Sequence, residues 1–238
     1  MKKAFIVGAS GATGKLLVKQ LLDNQFHVIT LVRPSSSFGE EYLDNPLYTK
    51  ISGEISHISD EELKVHLSSC DTFFSCLGHN LTFKGLFGEP KKLVTDAIKK
   101  ITKCISDQQK CKLILMNTTG NCNLDIPEKP PLSQRIVVTL LRHLLPPHAD
   151  NETAANFLRT EIGQNHSQLE WTVVRPDGLI NEDQVSDYDI HPSPIRNVIF
   201  NAGKTSRINV ANFMFKLASN DLLWNQWKGQ MPVIYNRE

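Results

Sequence analysis

The chain has 238 residues, of which 40% are hydrophobic and 21% charged, and its formal net charge at pH 7 is +1. This length suits one α/β domain with a large core, and the even spread of Lys and Arg gives no sign of a nucleic-acid partner. No stretch approaches the roughly 20 apolar residues that span a bilayer, and the apolar run behind the first lysines is too short for a signal peptide. Five cysteines without metal-binding spacing predict reduced thiols in a cytoplasmic protein.

A glycine-rich turn joins the first predicted strand to the first predicted helix. The apolar run Ala4-Phe5-Ile6-Val7 precedes Gly8-Ala9-Ser10-Gly11-Ala12-Thr13-Gly14, and apolar residues at helical spacing follow it. Glycine lets the backbone turn sharply and lets an anion approach closely, and the N–H groups at a helix N-terminus attract negative charge. The turn therefore predicts a phosphate-binding site. The alternative is a turn that is rich in glycine for packing reasons alone.

The second predicted strand, His27-Val28-Ile29-Thr30-Leu31-Val32, is followed by Arg33. A site for NAD usually carries an acidic residue about 20 residues beyond the glycines, where it holds the ribose hydroxyls. A guanidinium instead binds a 2′-phosphate through two charge-assisted hydrogen bonds. Arg33 therefore favours NADP(H) over NAD(H), the alternative being a solvated arginine before an ordinary Pro/Ser turn.

Strand-like and helix-like segments alternate along the rest of the chain. Further strands are predicted at residues 47–51, 71–77, 112–117 and 171–175, and helices at residues 59–67 and 93–105. This alternation predicts a Rossmann-like, doubly wound parallel sheet in a single domain of residues 1–238.

The residues that follow the predicted strands are the candidates for a ligand site, because ligands bind outside the carboxyl ends of the strands in such sheets. Beyond the glycine turn and Arg33, they form the clusters Gly53-Glu54-Ile55, Leu77-Gly78-His79, Asn117-Thr118-Thr119-Gly120 and Pro176-Asp177-Gly178-Leu179. The alternative for each later cluster is an ordinary turn at a strand end.

Residues 126–147 fit the alternation poorly and predict a helical insertion. Prolines stand at both ends of this segment, and residues 132–145 predict one amphipathic helix. The helix could be a lid, a dimer face or a plain core helix, and the core helix is the default expectation. Residues 176–209 are expected to form loops on the substrate side.

Together these motifs resemble the atypical short-chain dehydrogenases/reductases, in the subgroup of NAD(P)H-binding proteins related to NmrA and to biliverdin/flavin reductase. The resemblance rests on the glycine turn, Val32-Arg33, Leu77-Gly78, Thr118-Thr119-Gly120 and residues 171–176. Residues 206–213 also resemble the family, as a short strand that leads into the last helix.

The resemblance implies a monomeric or dimeric protein that holds NADP(H), with a role for each matched residue. The pyrophosphate would be wrapped by Gly8, Ser10, Gly11, Ala12, Thr13 and Gly14. Arg33 would hold the 2′-phosphate. Of the remaining residues, Glu54 and Ile55 would lie along the adenine, Leu77 and Gly78 along the ribose path, Thr118 and Thr119 near the nicotinamide, and Gly178 and Leu179 over the nicotinamide ring.

The chain departs from the family in its proton-transfer residues. Most short-chain dehydrogenases use a Tyr-x-x-x-Lys pair, in which the tyrosine transfers a proton to a carbonyl. Here Tyr42, Tyr48 and Tyr188 are each followed four positions later by proline or serine, and Tyr235 lies too close to the end. Residues 150–155 also lack the lysine that many NmrA-like proteins carry there.

Two functions follow as hypotheses. The first is an oxidoreductase that transfers hydride from NADPH to a small acceptor such as a flavin, quinone or carbonyl, with Thr119 and Thr118 nearest the reacting ring and His79 as a candidate proton source. The alternative is a catalytically silent NADP(H)-binding redox sensor of the NmrA type. A sugar-nucleotide epimerase is a weaker third reading, because it needs the missing tyrosine.

Overall fold

The computed structural model describes residues 1–78, 88, 90–105 and 110–237, and it confirms the predicted α/β fold. An eight-stranded sheet has the order β3-β2-β1-β4-β5-β6-β10-β8, and its pairs are parallel except β10 with β8. Its strands are β1 (Lys3–Val7), β2 (His27–Val32), β3 (Tyr48–Ser52), β4 (Thr72–Ser75), β5 (Cys111–Met116), β6 (Leu169–Pro176), β8 (Tyr188–His191) and β10 (Val233–Asn236). The order reverses between β1 and β4, which is the switch point of a doubly wound sheet.

Helices cover both faces of this sheet. One face carries α1 (Gly14–Asp23), α6 (Arg207–Ser219) and α7 (Asp221–Trp227), and the other carries α2 (Asp60–Leu67), α3 (Leu93–Cys104) and α5 (Pro146–Phe157). Alternate residues of β1 serve the two faces, because Ala4 and Ile6 pack in the first core and Phe5 and Val7 in the second. Burial on both faces explains why β1 is apolar from Ala4 to Val7.

Helix α3 begins against a side chain that is far away in the sequence. Lys92 stands at its N-cap position without a capping side-chain hydrogen bond. The buried Asp150 carboxylate of α5 accepts instead from the backbone N–H groups of Val94 at 2.8 Å and Thr95 at 2.9 Å. The two helices are therefore held together at this end by a charge-assisted cap.

Residues 176–209, which we expected to form loops, contain short strands between their loops. This segment holds β8 and two shorter strands, β7 (Gly178–Ile180) and β9 (Lys204–Ser206), which pair in parallel as a separate ribbon. A strand of three residues is too short to show an alternation of apolar and polar residues. The two strands also lie more than 20 residues apart in the sequence, so no local turn indicates that they pair. Residues 206–213 do lead from a short strand into a helix, but that helix is followed by α7, which Asn220 caps.

The expected helix at residues 132–145 exists as α4 (Leu132–Leu144), but it is not a core helix. Against the described part of the chain Gln134 alone is buried, whereas Leu132, Ile136, Leu140 and Leu144 are 54–69% exposed. Pro146 and Pro147 end this helix and form the first turn of α5, where a missing N–H costs nothing.

Candidate active site

The sheet brings the predicted strand-end clusters to one edge. Val7 of β1 pairs with Leu31 of β2 and Ser75 of β4, and Leu115 of β5 pairs with Ser75 and Val173. Because these strands are parallel, the residues that follow them lie side by side. The edge therefore collects the glycine turn, Arg33 and the clusters that follow β3 to β6, while His79 lies outside the described residues.

The glycine turn is a tight backbone structure that excludes side chains. Gly8 has φ +78°, and its carbonyl accepts from the Gly11 N–H at 3.1 Å. A Cβ on Gly8 would overlap the Cys76 carbonyl group and lie 2.6 Å from the Leu77 nitrogen. A Cβ on Gly14 would overlap the Gly8 carbonyl oxygen. Glycine is therefore required at both positions.

The N-terminus of α1 is open to an anion. Thr13 at the N-cap is buried and forms no capping side-chain hydrogen bond, and the first turn carries no acidic residue. Ser10, Gly11 and Ala12 are exposed in front of it. Backbone N–H groups and the positive end of the helix thus face a cradle lined only by small residues, which fits the pyrophosphate of a dinucleotide.

Arg33 lies at the end of β2 with its side chain in solvent. The turn after it is fixed by the Ser36 N–H, which donates to the Arg33 carbonyl at 2.9 Å, and by Lys50, which donates to the Ser36 carbonyl at 3.3 Å. Within the described ranges no hydrogen bond or ion pair engages the Arg33 guanidinium. A fixed backbone with an unengaged guanidinium can bind a phosphate.

The clusters after β3 and β4 differ in how much of their side chains is exposed. The Glu54 carbonyl accepts from the N–H groups of His57 at 2.9 Å and Ile58 at 3.0 Å, which closes a turn and leaves the Glu54 side chain partly exposed. Ile55 is only 7% exposed and packs in the core, so little of its side chain is open to a ligand. Leu77 is half-buried and Gly78 exposed at the edge.

The two candidate catalytic threonines have different partners. Thr118 is engaged within its own loop, where its hydroxyl accepts from the Gly120 N–H at 3.2 Å. The buried Thr119 donates its hydroxyl proton to the Asp177 Oδ1 at 3.2 Å, and the Asp177 Oδ2 accepts from the Gly203 N–H at 2.8 Å. The cluster after β5 is thereby joined to the cluster after β6.

Burial raises the pKa of the Asp177 carboxyl above its ordinary value. Four groups oppose this shift: the N–H groups of Gly203 and Gly178, the Thr119 hydroxyl and the positive charge of Arg196. A buried carboxylate with several donors is a polar centre at the carboxyl end of β6.

Gly178 and Leu179, which the resemblance places over the nicotinamide ring, are exposed residues of β7. Leu179 pairs with Thr205 of β9. A Cβ on Gly178 would lie 2.8 Å from the Gly203 carbonyl oxygen, so the close approach of the two strands requires glycine there. Their position beside Asp177 puts them at the same edge as Thr119.

A cleft of about 300 Å³ opens beside Thr119. One wall comes from the segment before α4 and contains three prolines, and the other comes from residues 193–197. Its polar lining includes Thr119, Lys129, Gln134 and Arg196. This volume is at the small end of the range of ligand pockets, and it suits a small molecule or one ring system.

Arg175 lies between Val174 and Pro176 at the end of β6, and it connects segments that surround the cleft. Its side chain is completely buried, and its five hydrogen bonds go to the Glu128 carboxylate twice, at 2.6 and 3.1 Å, and to the carbonyls of Asn121, Pro192 and Met231. All five guanidinium N–H groups can be satisfied in this way. The sequence places this arginine among mostly apolar strand residues, which indicates that it is buried together with a charged partner.

The described residues hold no cluster of metal-ligating side chains and no helix long and apolar enough to cross a membrane. Burial raises the pKa of the Cys76 thiol to about 12 and that of the Cys111 thiol to about 11. Both cysteines therefore behave as small core residues, as their sequence context indicates.

Comparison with protein families assigns most of the chain to one domain type. A family model described as NAD(P)H-binding matches residues 8–221. The match begins at the first glycine of the turn and contains Arg33, Thr119 and Asp177.

Solved structures share the fold at low sequence identity. A short-chain dehydrogenase/reductase from Veillonella parvula in complex with NADP has a TM-score of 0.69 and 16% identity, covering 99% of this chain and 94% of that chain. The anaerobillin reductase ChuY from Escherichia coli O157:H7 has a TM-score of 0.69 and 16% identity, covering 100% and 98%. A candidate NADH-flavin reductase from Streptococcus pneumoniae has a TM-score of 0.67 and 14% identity, covering 100% of each chain.

Proposed function

Because the chain belongs to the NAD(P)H-binding family and has an oxidoreductase fold, we propose that it is an NADPH-dependent reductase of a small acceptor, such as a flavin or a quinone. The family match supports the resemblance at the level of an NAD(P)H-binding domain. The single observation that carries the proposal is the cleft beside Thr119, because it adjoins the carboxyl ends of the strands, where sheets of this kind bind their ligands.

The preference for NADP(H) rests on Arg33. Its guanidinium is exposed at the end of β2, and no acidic residue stands at this position to bind ribose hydroxyls or repel a phosphate. Arg33→Met should weaken NADP(H) binding by about 2 kcal/mol, or roughly thirtyfold, and leave NAD(H) binding unchanged. Isothermal titration calorimetry measures both. Arg237→Met, which removes an exposed arginine far along the sequence, is the matched control.

Equal affinity of the native protein for NADP(H) and NAD(H) would contradict the role of Arg33. It would leave the assignment of the glycine turn intact, since that turn binds the pyrophosphate common to both cofactors.

Bound NADPH would supply the hydride, and the protein would hold the cofactor and the acceptor in position. The backbone of the glycine turn and the open N-terminus of α1 would hold the pyrophosphate, and the loop at Thr118 and Thr119 would border the reacting ring. Thr119 is our candidate catalytic residue, because it lines the cleft where an acceptor ring would lie. The absence of a Tyr-x-x-x-Lys pair favours acceptors such as flavins and quinones, whose reduced forms take protons from solvent.

The direct test is the rate of NADPH oxidation with flavins, quinones and small carbonyls. We expect turnover with a flavin or quinone and little with simple carbonyls, because the carbonyls need a proton donor beside the ring. Tight NADPH binding without turnover with any acceptor would contradict the reductase.

The second candidate function is a catalytically silent NADP(H)-dependent sensor. The exposed apolar face of α4 favours it, since such a face can contact a partner. An interaction whose affinity differs between NADP⁺ and NADPH would support this function, and robust turnover by the isolated protein would make it unnecessary. For either function we propose a monomer or homodimer in the cytoplasm, with the five free thiols as support.

A further inference from the structure

We propose that Asp177 sets the polarity of the Thr119 hydroxyl, so that the ligand group beside Thr119 must present an N–H or O–H donor. This inference rests on the proposed function, because it concerns a ligand bound in the cleft. It adds a positioning residue, Asp177, and a chemical rule for what that residue selects.

The direction of the hydrogen bond between Thr119 and Asp177 follows from their chemistry. An ionised carboxylate only accepts hydrogen bonds, and a threonine hydroxyl has a single proton. Asp177 uses one oxygen for the Gly203 N–H at 2.8 Å and the other for Thr119 at 3.2 Å. The hydroxyl proton of Thr119 is therefore committed to Asp177.

The commitment of this proton determines what Thr119 offers to the cleft. Thr119 and Asp177 are 5% and 7% exposed, so water has little access to compete for the hydrogen bond between them. Thr119 nevertheless lines the cleft, and lone pairs are all that its hydroxyl oxygen can offer to a ligand that reaches it there. A ligand carbonyl placed there would meet a second acceptor, and an unpaired buried acceptor weakens binding.

Two ligands could supply the donor. The carboxamide of the nicotinamide carries an N–H₂ group, and a flavin carries an N–H on its ring. The shared chemistry is an N–H directed at the Thr119 oxygen, and the experiment must separate the two sources.

Asp177→Asn should reverse the polarity with little change in shape. The asparagine carbonyl oxygen can keep the hydrogen bond from the Gly203 N–H, which places the amide N–H₂ group against Thr119. The amide then donates to the Thr119 oxygen, and the Thr119 hydroxyl is free to donate into the cleft. An acceptor on the ligand becomes the preferred group at that point.

The test compares NADP⁺ with its 3-acetylpyridine analogue, in which a methyl ketone replaces the carboxamide and removes the N–H. Calorimetry gives the affinity ratio for the native protein and for Asp177→Asn, each with and without Thr119→Val. We expect Asp177→Asn to shift the ratio about tenfold towards the analogue, and we expect no shift when Thr119 is already valine. Thr119→Ser keeps the hydroxyl and should keep the native ratio, which controls for the methyl group.

The flavin arm repeats the comparison with riboflavin and N3-methylriboflavin, followed by flavin fluorescence. A shift confined to the cofactor pair identifies the nicotinamide carboxamide as the hydrogen-bond donor to Thr119. A shift confined to the flavin pair identifies the flavin ring N–H as that donor. Normal NADP⁺ binding with no shift in either ratio would overturn this inference alone. Failure to bind NADP⁺ would overturn the proposed function, and this inference with it.

Discussion

The two halves of the strand-end edge are built from different materials. Between β1 and α1 the surface is mainly backbone, because a Cβ on Gly8 or Gly14 would overlap neighbouring main-chain atoms and the end of α1 is open. Around β5, β6 and β10 the surface is made of side chains, and Arg175 joins segments that include Glu128 and Met231. The first half is specified by contiguous residues, whereas the second depends on contacts between residues far apart in the sequence.

The largest expected effect is a loss of stability when the contacts of the side-chain half are removed. Arg175→Met leaves the buried Glu128 carboxylate without its partner, which should lower the free energy of unfolding by about 3–5 kcal/mol. Chemical denaturation followed by circular dichroism measures this change. Arg237→Met breaks an exposed pair with Asp189 and should leave stability unchanged. Equal stability of the two variants would show that the Arg175 contacts do not hold this half together.

The next effect concerns the backbone half. Gly8→Ala adds a Cβ that would overlap the Cys76 carbonyl group, at a φ of +78° that alanine tolerates poorly. We expect a loss of about 2–4 kcal/mol in unfolding free energy and weaker nucleotide binding. Gly78→Ala is the matched control for stability, since a Cβ there meets no atom of the described residues within 4 Å. If the two variants unfold at the same denaturant concentration, the steric account of Gly8 is wrong.

The smallest effect is expected for Leu140→Ala in α4, which we compare with Leu21→Ala in α1. Leu21 of α1 is completely buried, and Leu140 of α4 is 54% exposed. Leu21→Ala should cost about 2–5 kcal/mol, whereas Leu140→Ala should stay within about 0.5 kcal/mol. Thermal unfolding of the two variants side by side measures the difference. A large loss for Leu140→Ala would indicate that α4 is covered by another surface in solution.

The predictability of the fold follows the same division. The apolar runs of β1, β2, β5 and β6 are visible in the sequence because parallel strands buried on both faces are apolar over most of their length. The glycine turn is equally visible, since its geometry is local. Strand β7 could not be predicted, because it has three residues and depends on a partner more than 20 residues away, and β9 was indicated only by the family resemblance of residues 206–213.

The candidate site was predictable at the level of strand ends but not of contacts. Placing Thr119 and Asp177 after neighbouring strands required only the alternation of elements. The hydrogen bond between them also depends on Gly203, which comes from a segment that the sequence indicated as a loop. The burial of Ile55 could not be predicted either, because it depends on packing against core residues that are distant in the sequence.

The position of Cys122 has a practical consequence. The other cysteines, Cys70, Cys76, Cys104 and Cys111, are buried, whereas Cys122 is partly exposed and borders the cleft. A thiol reagent therefore meets one accessible target in the native protein, and that target adjoins the region where a ligand would bind. The unmodified chain thus carries its own attachment point for an environment-sensitive fluorophore that would report occupancy of the cleft.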